Sequence, residues 1–262
     1  MLDNIQGSLK AVSDNLSAGC MAYGKKCLLI MLIIPALLAC ASSPSADGTV
    51  SDPLEGFNRT MFSFNDGVDT YFFKPVAKGY RYVTPNFVET GVSNFFSNIL
   101  EIRNLLNSGL QAKGKKTLVH TGRFLLNSTL GLFGLIDVAQ HMGLEKQDGE
   151  DFGQTMAVWG VGSGPYVVWP FFGPSTLRDT VGIPADIYAD PGTYVGHVRT
   201  RNAFTAGELI DTRANLLDAE ELLSGDRYVF IRDAYLQRRI FLINDGEVED
   251  SFGSDLESDG NF

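Results

Sequence analysis

A few groups of residues in this chain have the types, or nearly the spacing, that chemistry needs. Gly160-Val-Gly-Ser-Gly164-Pro165 has the glycine density of a phosphate-cradling loop. Its third glycine falls one position early for a dinucleotide fingerprint, a proline follows it, and no lysine stands at the Walker position. Ser163 is flanked two positions away by Val161 and Pro165 in place of glycines, so it is not a nucleophile elbow. His120, His141 and His197 are not paired at metal-ligand spacing, and each is expected as a partly exposed helix or loop residue. That leaves Cys40, a thiol directly after Leu37-Leu38-Ala39, whose chemistry would be acylation at a cleavage point. No catalytic residue, metal or cofactor is expected.

The elements before Cys40 position it. Lys25 and Lys26 lead into the run Cys27 to Leu38, and Ala39 closes it. A basic start, an apolar centre of about 7 to 15 residues and a small-residue cleavage site make an export signal, and the run is shorter than the about 20 residues that span a bilayer. Leu-Leu-Ala-Cys resembles the lipobox of bacterial lipoproteins, in which the acylated cysteine becomes the first mature residue. The alternative is an ordinary signal peptide with an incidental cysteine. At about 0.8 kcal/mol per buried methylene, two or three acyl chains hold a protein on a membrane without a transmembrane helix. Ala41 is not an aspartate, which by resemblance to lipoproteins points to the outer membrane. Residues 1–20 carry no pattern and are expected to be an extension ahead of the true start at Met21. Residues 21–39 then form the leader, and the Ser, Pro, Gly and Ala of residues 40–51 a flexible tether.

Composition excludes several classes. The chain carries a net charge of −10. Removing residues 1–39 takes away Lys10, Lys25, Lys26, Asp3 and Asp14, which leaves −11. Nucleic acid and anionic membrane surfaces are bound through lysine and arginine, so neither is an expected partner. All three cysteines, Cys20, Cys27 and Cys40, lie at or before the cleavage point, so no disulfide is expected downstream. Attachment to lipid would rest on apolar burial, and 18 phenylalanines suit that.

From Asp52 the pattern is helix after helix with little strand, an all-α reading. Asp52-Pro53-Leu54-Glu55 reads as a capping box opening a helix whose stripe is Leu54, Phe57, Met61, Phe64, Val68 and Tyr71, opposite Asn58, Arg59, Asn65 and Asp69. Lys74-Pro75 predicts a break, a short helix follows to Val83, and Thr84-Pro85 breaks the chain again. A helix from Pro85 and a separate one over residues 101–112 come next. Phe124 to Ile136 holds no charge and is bracketed by Arg123 and Asp137, so it cannot cross a bilayer as one helix; it fits a segment lying in one leaflet or, without a lipid anchor, a buried pair of core helices. Glu150-Asp151 starts a short helix, and four glycines and three prolines between Trp159 and Pro174 predict a hairpin with a strand at Tyr166 to Trp169. Ser175 is expected to cap the next helix, with turns at Pro184 and Pro191 and helices over residues 202–223 and 226–243. Residues 244–262 hold seven acids and no base and read as a disordered tail.

The blocks Asp52-Pro-Leu-Glu-Gly-Phe-Asn-Arg-Thr-Met-Phe62, Arg123-Phe-Leu-Leu-Asn-Ser-Thr-Leu-Gly131, Gly134-Leu-Ile-Asp137-Val-Ala139, Phe152-Gly-Gln, Gly160-Val-Gly162, Gly164-Pro-Tyr166, Gly173-Pro174 and Leu177-Arg-Asp179 resemble, in that order, the MlaA (VacJ) family. The resemblance covers about Asp52 to Gly246. It implies an outer-membrane lipoprotein that removes mislocalised phospholipid from the outer leaflet and passes it to the periplasmic carrier MlaC, often in complex with a trimeric porin. The fold it implies is a ring-like single domain, residues 52–243, of short amphipathic helices lying in the membrane plane around a polar channel. A bare phospholipid head group entering hydrocarbon would cost many kcal/mol, and a polar conduit removes most of that cost.

Conduit candidates are polar residues set in otherwise apolar segments: Arg123, Asn127, Asp137, Arg178 and Asp179. The same residues would read equally well as pairs tying helices together. Gly160, Gly162 and Gly164, flanked by Trp159 and Tyr166, are candidates for a gating hinge, or for a merely tight turn. Movement of lipid to a carrier is downhill and needs no ATP. A phospholipase and a structural porin scaffold are the competing classes.

Overall fold

The computed structural model describes residues 52–219 and 225–247. The extension 1–20, the leader 21–39, Cys40 with its tether to residue 51, and the tail beyond residue 247 lie outside the described residues.

Helix α1 spans Glu55–Val68 and passes through one wide turn, Asp69–Phe73, into α2, Lys74–Val83. The break expected at Lys74-Pro75 does not occur. In the wide turn the Lys74 N–H reaches the Asp69 carbonyl, five residues back, which relaxes the ladder where the Pro75 ring would strike it. Pro75 then stands in the first turn of α2, where a missing N–H costs nothing. Asp52 does not act as the expected helix cap. Its carboxylate takes the Leu54 N–H, the Asn58 amide and the Tyr228 hydroxyl, fixing the chain entry to a distant helix.

Thr84 and Pro85 do end α2, and α3 runs unbroken over Asn86–Leu110. The two helices expected there are one, since no glycine or proline lies between Gly91 and Gly109. Helix α4, Gly114–Thr129, returns along α3, and α5 is the single turn Val138–His141. Between them Leu130, Leu132, Phe133, Leu135 and Ile136 form an exposed apolar tip, at the end of the charge-free segment. Helix α6, Phe152–Val158, is capped by Asp151, as its sequence predicts.

The hairpin pairs β1, Tyr166–Trp169, with β2, Gly173–Thr176, antiparallel, Tyr166 opposite Thr176. Helix α7, Leu177–Ala189, is capped by Thr176, one residue after the expected Ser175, and Pro184 lies inside it in place of the expected turn. A 3-10 turn, Pro191–Tyr194, leads to α8, Val198–Asn215, which begins and ends earlier than the predicted stretch. Helix α9, Arg227–Ile243, is capped by Asp226. Of the acidic tail, residues 244–247 are ordered against α4: Asp245 accepts from Lys113 and from Lys116 at 2.6 Å.

Burial is inverted relative to a water-soluble core. Among the described residues seven hydrophobic side chains are buried against twenty polar or charged ones, while Phe72, Phe133, Phe171 and Phe172 are exposed. Along α1 and the residues flanking it, Leu54, Phe57, Phe64 and Tyr71 face outward and Asn58 is completely buried. Helices therefore grip one another through polar ties. Arg213 of α8 holds Asp69 at 2.6 and 2.7 Å, and Ser93 of α3 donates to Asp211 of α8 at 2.8 Å. A small hydrophobic cluster of Tyr166, Val168 and Tyr228, flanked by Met61 and Phe62, seats the hairpin. No described helix is long and apolar enough to cross a membrane.

Candidate functional site

Helices α6 and α7 cross at two glycines. A side chain on Gly182 would come within 2.9 Å of the Gly153 nitrogen, and one on Gly153 would meet the Asp179 carboxylate at 2.4 Å and the Arg239 guanidinium at 2.8 Å. The backbones approach closely because nothing stands between them, and that approach brings Asp151, Asp179 and Arg239 together. Arg239 donates to Asp151 at 2.5 and 3.0 Å and to Asp179 at 2.9 Å. The Tyr235 hydroxyl, one turn earlier on α9, donates to Asp179 at 2.8 Å, and Arg178 adds a bond at 3.1 Å. Burial pushes the Asp151 carboxyl up, but Arg239 and the Gln154 N–H outweigh it and hold the group below the usual carboxylate range.

This cluster forms one wall of a polar cavity of ≈ 360 Å³ between α3, α7, the hairpin and α9. The other walls include Arg103, Asp186, Asp190 and Phe172. Asp186 accepts the Phe152 N–H at 3.0 Å and the Asn107 amide at 3.2 Å, and Asp190 accepts the Gly192 N–H at 2.8 Å. Among the described residues neither carboxylate has a salt bridge. Burial pushes the Asp186 carboxyl above the usual range, partly opposed by Arg103. A second cleft, of ≈ 390 Å³, is lined by Leu105, Leu106, Leu110, Phe152, Ala185 and Ala189, and Asp186 belongs to the walls of both.

Of the residues predicted from sequence, Asp179 lines the polar cavity and Arg178 lies behind it as its ion-pair partner. Arg123, Asn127 and Asp137 form a separate buried network between α3, α4 and α5. Arg123 holds Glu101 at 2.8 Å and Asp137 at 2.7 Å, and Asn127 donates to Asp137 at 3.0 Å. Burial raises the Asp137 carboxyl, but Arg123, Asn127 and the Gln140 N–H together bring it below the usual range. His120 is not partly exposed as expected. It is fully buried with Nδ1 2.5 Å from Glu101, and its Nε2 has no hydrogen-bond partner among the described residues. Among the described residues no hydroxyl or thiol is bonded to that nitrogen. His141 and His197 are exposed.

Gly160 and Gly164 adopt φ of +88° and +66°, values open to glycine and strained for other residues. Gly162 has no heavy atom near its open side. The loop they build is tied to the start of α7 by Leu177 N–H to Pro165 and Arg178 N–H to Ser163, both 3.0 Å. Arg103, Asp151, Asp186, Asp190, Tyr235 and Arg239 were not read as site residues from the sequence. A usable signal existed for Arg103, a lone cation on the apolar pattern Ile102-Arg103-Asn104-Leu105-Leu106. For Asp151 and Arg239, 88 residues apart, no local signal existed. Among the described residues no cluster of His, Cys, Asp and Glu has the grouping of a metal site.

Comparison with known proteins agrees with this architecture. The family model described as MlaA lipoprotein matches residues 50–242. The intermembrane phospholipid transport system lipoprotein MlaA of Escherichia coli K12 is 42% identical over 218 residues, 81% of this chain and 86% of that one. The protein of the same name from Haemophilus influenzae is 33% identical over 237 residues, 87% of this chain and 94% of that one. A solved structure described as the structural basis for maintenance of bacterial outer membrane lipid asymmetry superposes with a TM-score of 0.66 at 42% identity, covering 74% of this chain and 100% of that chain. An all-α domain with its polar groups inside, matched along nearly its whole described length by these proteins, belongs to the MlaA lipoprotein family.

Proposed function

We propose that this chain is an outer-membrane lipoprotein that draws mislocalised phospholipid out of the outer leaflet through its polar interior and passes it to a periplasmic lipid carrier. The observation that carries this reading is the inverted burial, twenty polar or charged side chains inside and large aromatics outside. Such a domain is stable with its outer face in hydrocarbon and offers a head group a path lined with hydrogen-bonding groups. Names and descriptions of the relatives, phospholipid transport and outer-membrane lipid asymmetry, support the same direction.

In this reading Cys40 carries the acyl anchor and the collar of helices sits in the inner leaflet, beside a trimeric porin. Asp179 belongs to the conduit wall, with Arg178 holding its position. Arg123, Asn127 and Asp137 brace the collar. The loop of Gly160, Gly162 and Gly164 acts as the gate. The protein performs no covalent step.

The test is reconstitution in asymmetric vesicles with a periplasmic carrier outside. The expected result is phospholipid delivered to the carrier only when the protein is present. Equal delivery without it would overturn the reading, and released fatty acid or lysolipid would replace it with a phospholipase. A crosslink from residue 162 to the neighbouring helix is expected to stop delivery, and undiminished delivery would remove the gate.

A further inference from the structure

The polar cavity has a distribution of charge that fits one class of head group. Arg239 is committed to Asp151 and Asp179, and Arg178 reinforces Asp179. That leaves Arg103, Asp186 and Asp190 in the lining, none of them in a salt bridge among the described residues. Arg103 lies within electrostatic reach of Asp186 and Glu208 yet bonds to neither. A cavity-lining guanidinium not tied to a carboxylate is a place where an anionic oxygen would be stabilised.

We propose that this cavity recognises a phosphate joined to a primary ammonium, the head group of an ethanolamine phospholipid. Arg103 takes the phosphate, and Asp186 and Asp190 take the ammonium. A primary ammonium brings three donors for those carboxylates. An uncharged glycerol head group brings no positive charge, and its phosphate would enter a region where two carboxylates face one uncommitted cation. The apolar cleft that shares the Asp186 wall gives an acyl chain a place beside the head group. This favours a lipid over a soluble phosphate ester.

The proposal rests on the transport reading, and its test is separable from it. The full-length protein is repurified from mixed micelles of equimolar phosphatidylethanolamine and phosphatidylglycerol, and retained lipid is quantified. The wild type is expected to enrich phosphatidylethanolamine about tenfold, the discrimination one charge-assisted hydrogen bond supplies. The double variant Asp186→Asn, Asp190→Asn is expected to return the ratio to that of the micelle. Arg103→Gln is expected to lower retention of both lipids, and Arg103→Lys, which keeps the charge, to restore most of it. A wild-type ratio equal to the input would overturn the assignment, as would a double variant that keeps the enrichment or an Arg103→Gln protein that keeps its lipid. Free phosphoethanolamine is expected not to displace the lipid; displacement would show that the ligand is a soluble phosphate ester. Delivery from asymmetric vesicles without head-group preference would leave transport intact and remove this assignment. Enrichment without any delivery would do the reverse.

Discussion

Asp186 and Arg123 show opposite consequences of burying charge. The Asp186 carboxyl is pushed above its ordinary range chiefly by burial, so the folded protein binds its proton more readily than the unfolded chain does. Its charge therefore costs stability at neutral pH, and that cost disappears as the pH falls through the raised value. Asp186→Asn keeps an oxygen for the Phe152 N–H and removes the charge. It is expected to raise the midpoint of thermal unfolding at pH 7, with the advantage shrinking on acidification; an advantage that grows toward acid would contradict the sign. Asp137 and Asp151 have depressed values, so their contribution is present above the unfolded carboxylate range and is lost as pH falls through the folded one. Arg123 is the partner that holds Asp137 down and also pairs with Glu101. Arg123→Met would leave two carboxylates without their cation at a site 2% exposed, which costs about 3–5 kcal/mol when one partner of a buried pair is removed. Chemical denaturation in detergent measures it, and a loss under 1 kcal/mol would mean the network is solvated.

Helix α1 and the hairpin meet by a device that no local pattern announces. Asn58 donates to the Tyr166 carbonyl at 3.1 Å and accepts the Val168 N–H at 2.9 Å. Asn65 donates to the Trp169 carbonyl at 2.9 Å and accepts the Phe171 N–H at 2.8 Å. Seven residues of helix rise about 10 Å, close to three residues of strand, so the two amides meet the open edge of β1 in register and stand in for a third strand. Asn58→Leu would strand both backbone groups in a fully buried position, at about 1–3 kcal/mol each, and Asn65→Leu, nearer solvent, is expected to cost less. Equal, small losses in both variants would show that the edge is satisfied by water. The sequence shows α1, its stripe and the strand at Tyr166 to Trp169 plainly. It cannot show that the asparagines opposite the stripe are the buried face, since helical periodicity gives two faces without saying which meets the medium. The same ambiguity hides His120, whose partner Glu101 lies on the neighbouring helix. At Pro75 and Pro184 a breaker rule gave way to context, a widened turn in one case and a helix interior in the other.

For the molecule as a whole, what decides between the two faces is the surrounding medium, and the proposed leader with its acylated Cys40 is the part of the sequence that would identify it. A chain expected to be lipidated carries amphipathic helices whose apolar stripes need not turn inward, and the described domain buries its amides and guanidiniums accordingly. What stayed illegible is the cavity, because Arg103, Asp186 and Arg239 come from three helices far apart in sequence and meet only in the folded chain. The apolar exterior has a consequence independent of the acyl chains. Phe72, Phe133, Phe171 and Phe172 are exposed by 61%, 79%, 70% and 73%, and burying one such side chain is worth about 1.5–3 kcal/mol. Four of them exceed the affinity of a single acyl chain, whose membrane binding is marginal. A Cys40→Ala protein is therefore expected to float with liposomes in a density gradient and to need detergent for extraction. Adding serine at Phe72, Phe133 and Phe171 is expected to release it to the soluble fraction while its helical circular dichroism is unchanged, because none of these three lines the polar cavity. If Cys40→Ala alone frees the protein from liposomes, the phenylalanines do not face lipid, and a conduit surrounded by hydrocarbon loses its physical basis.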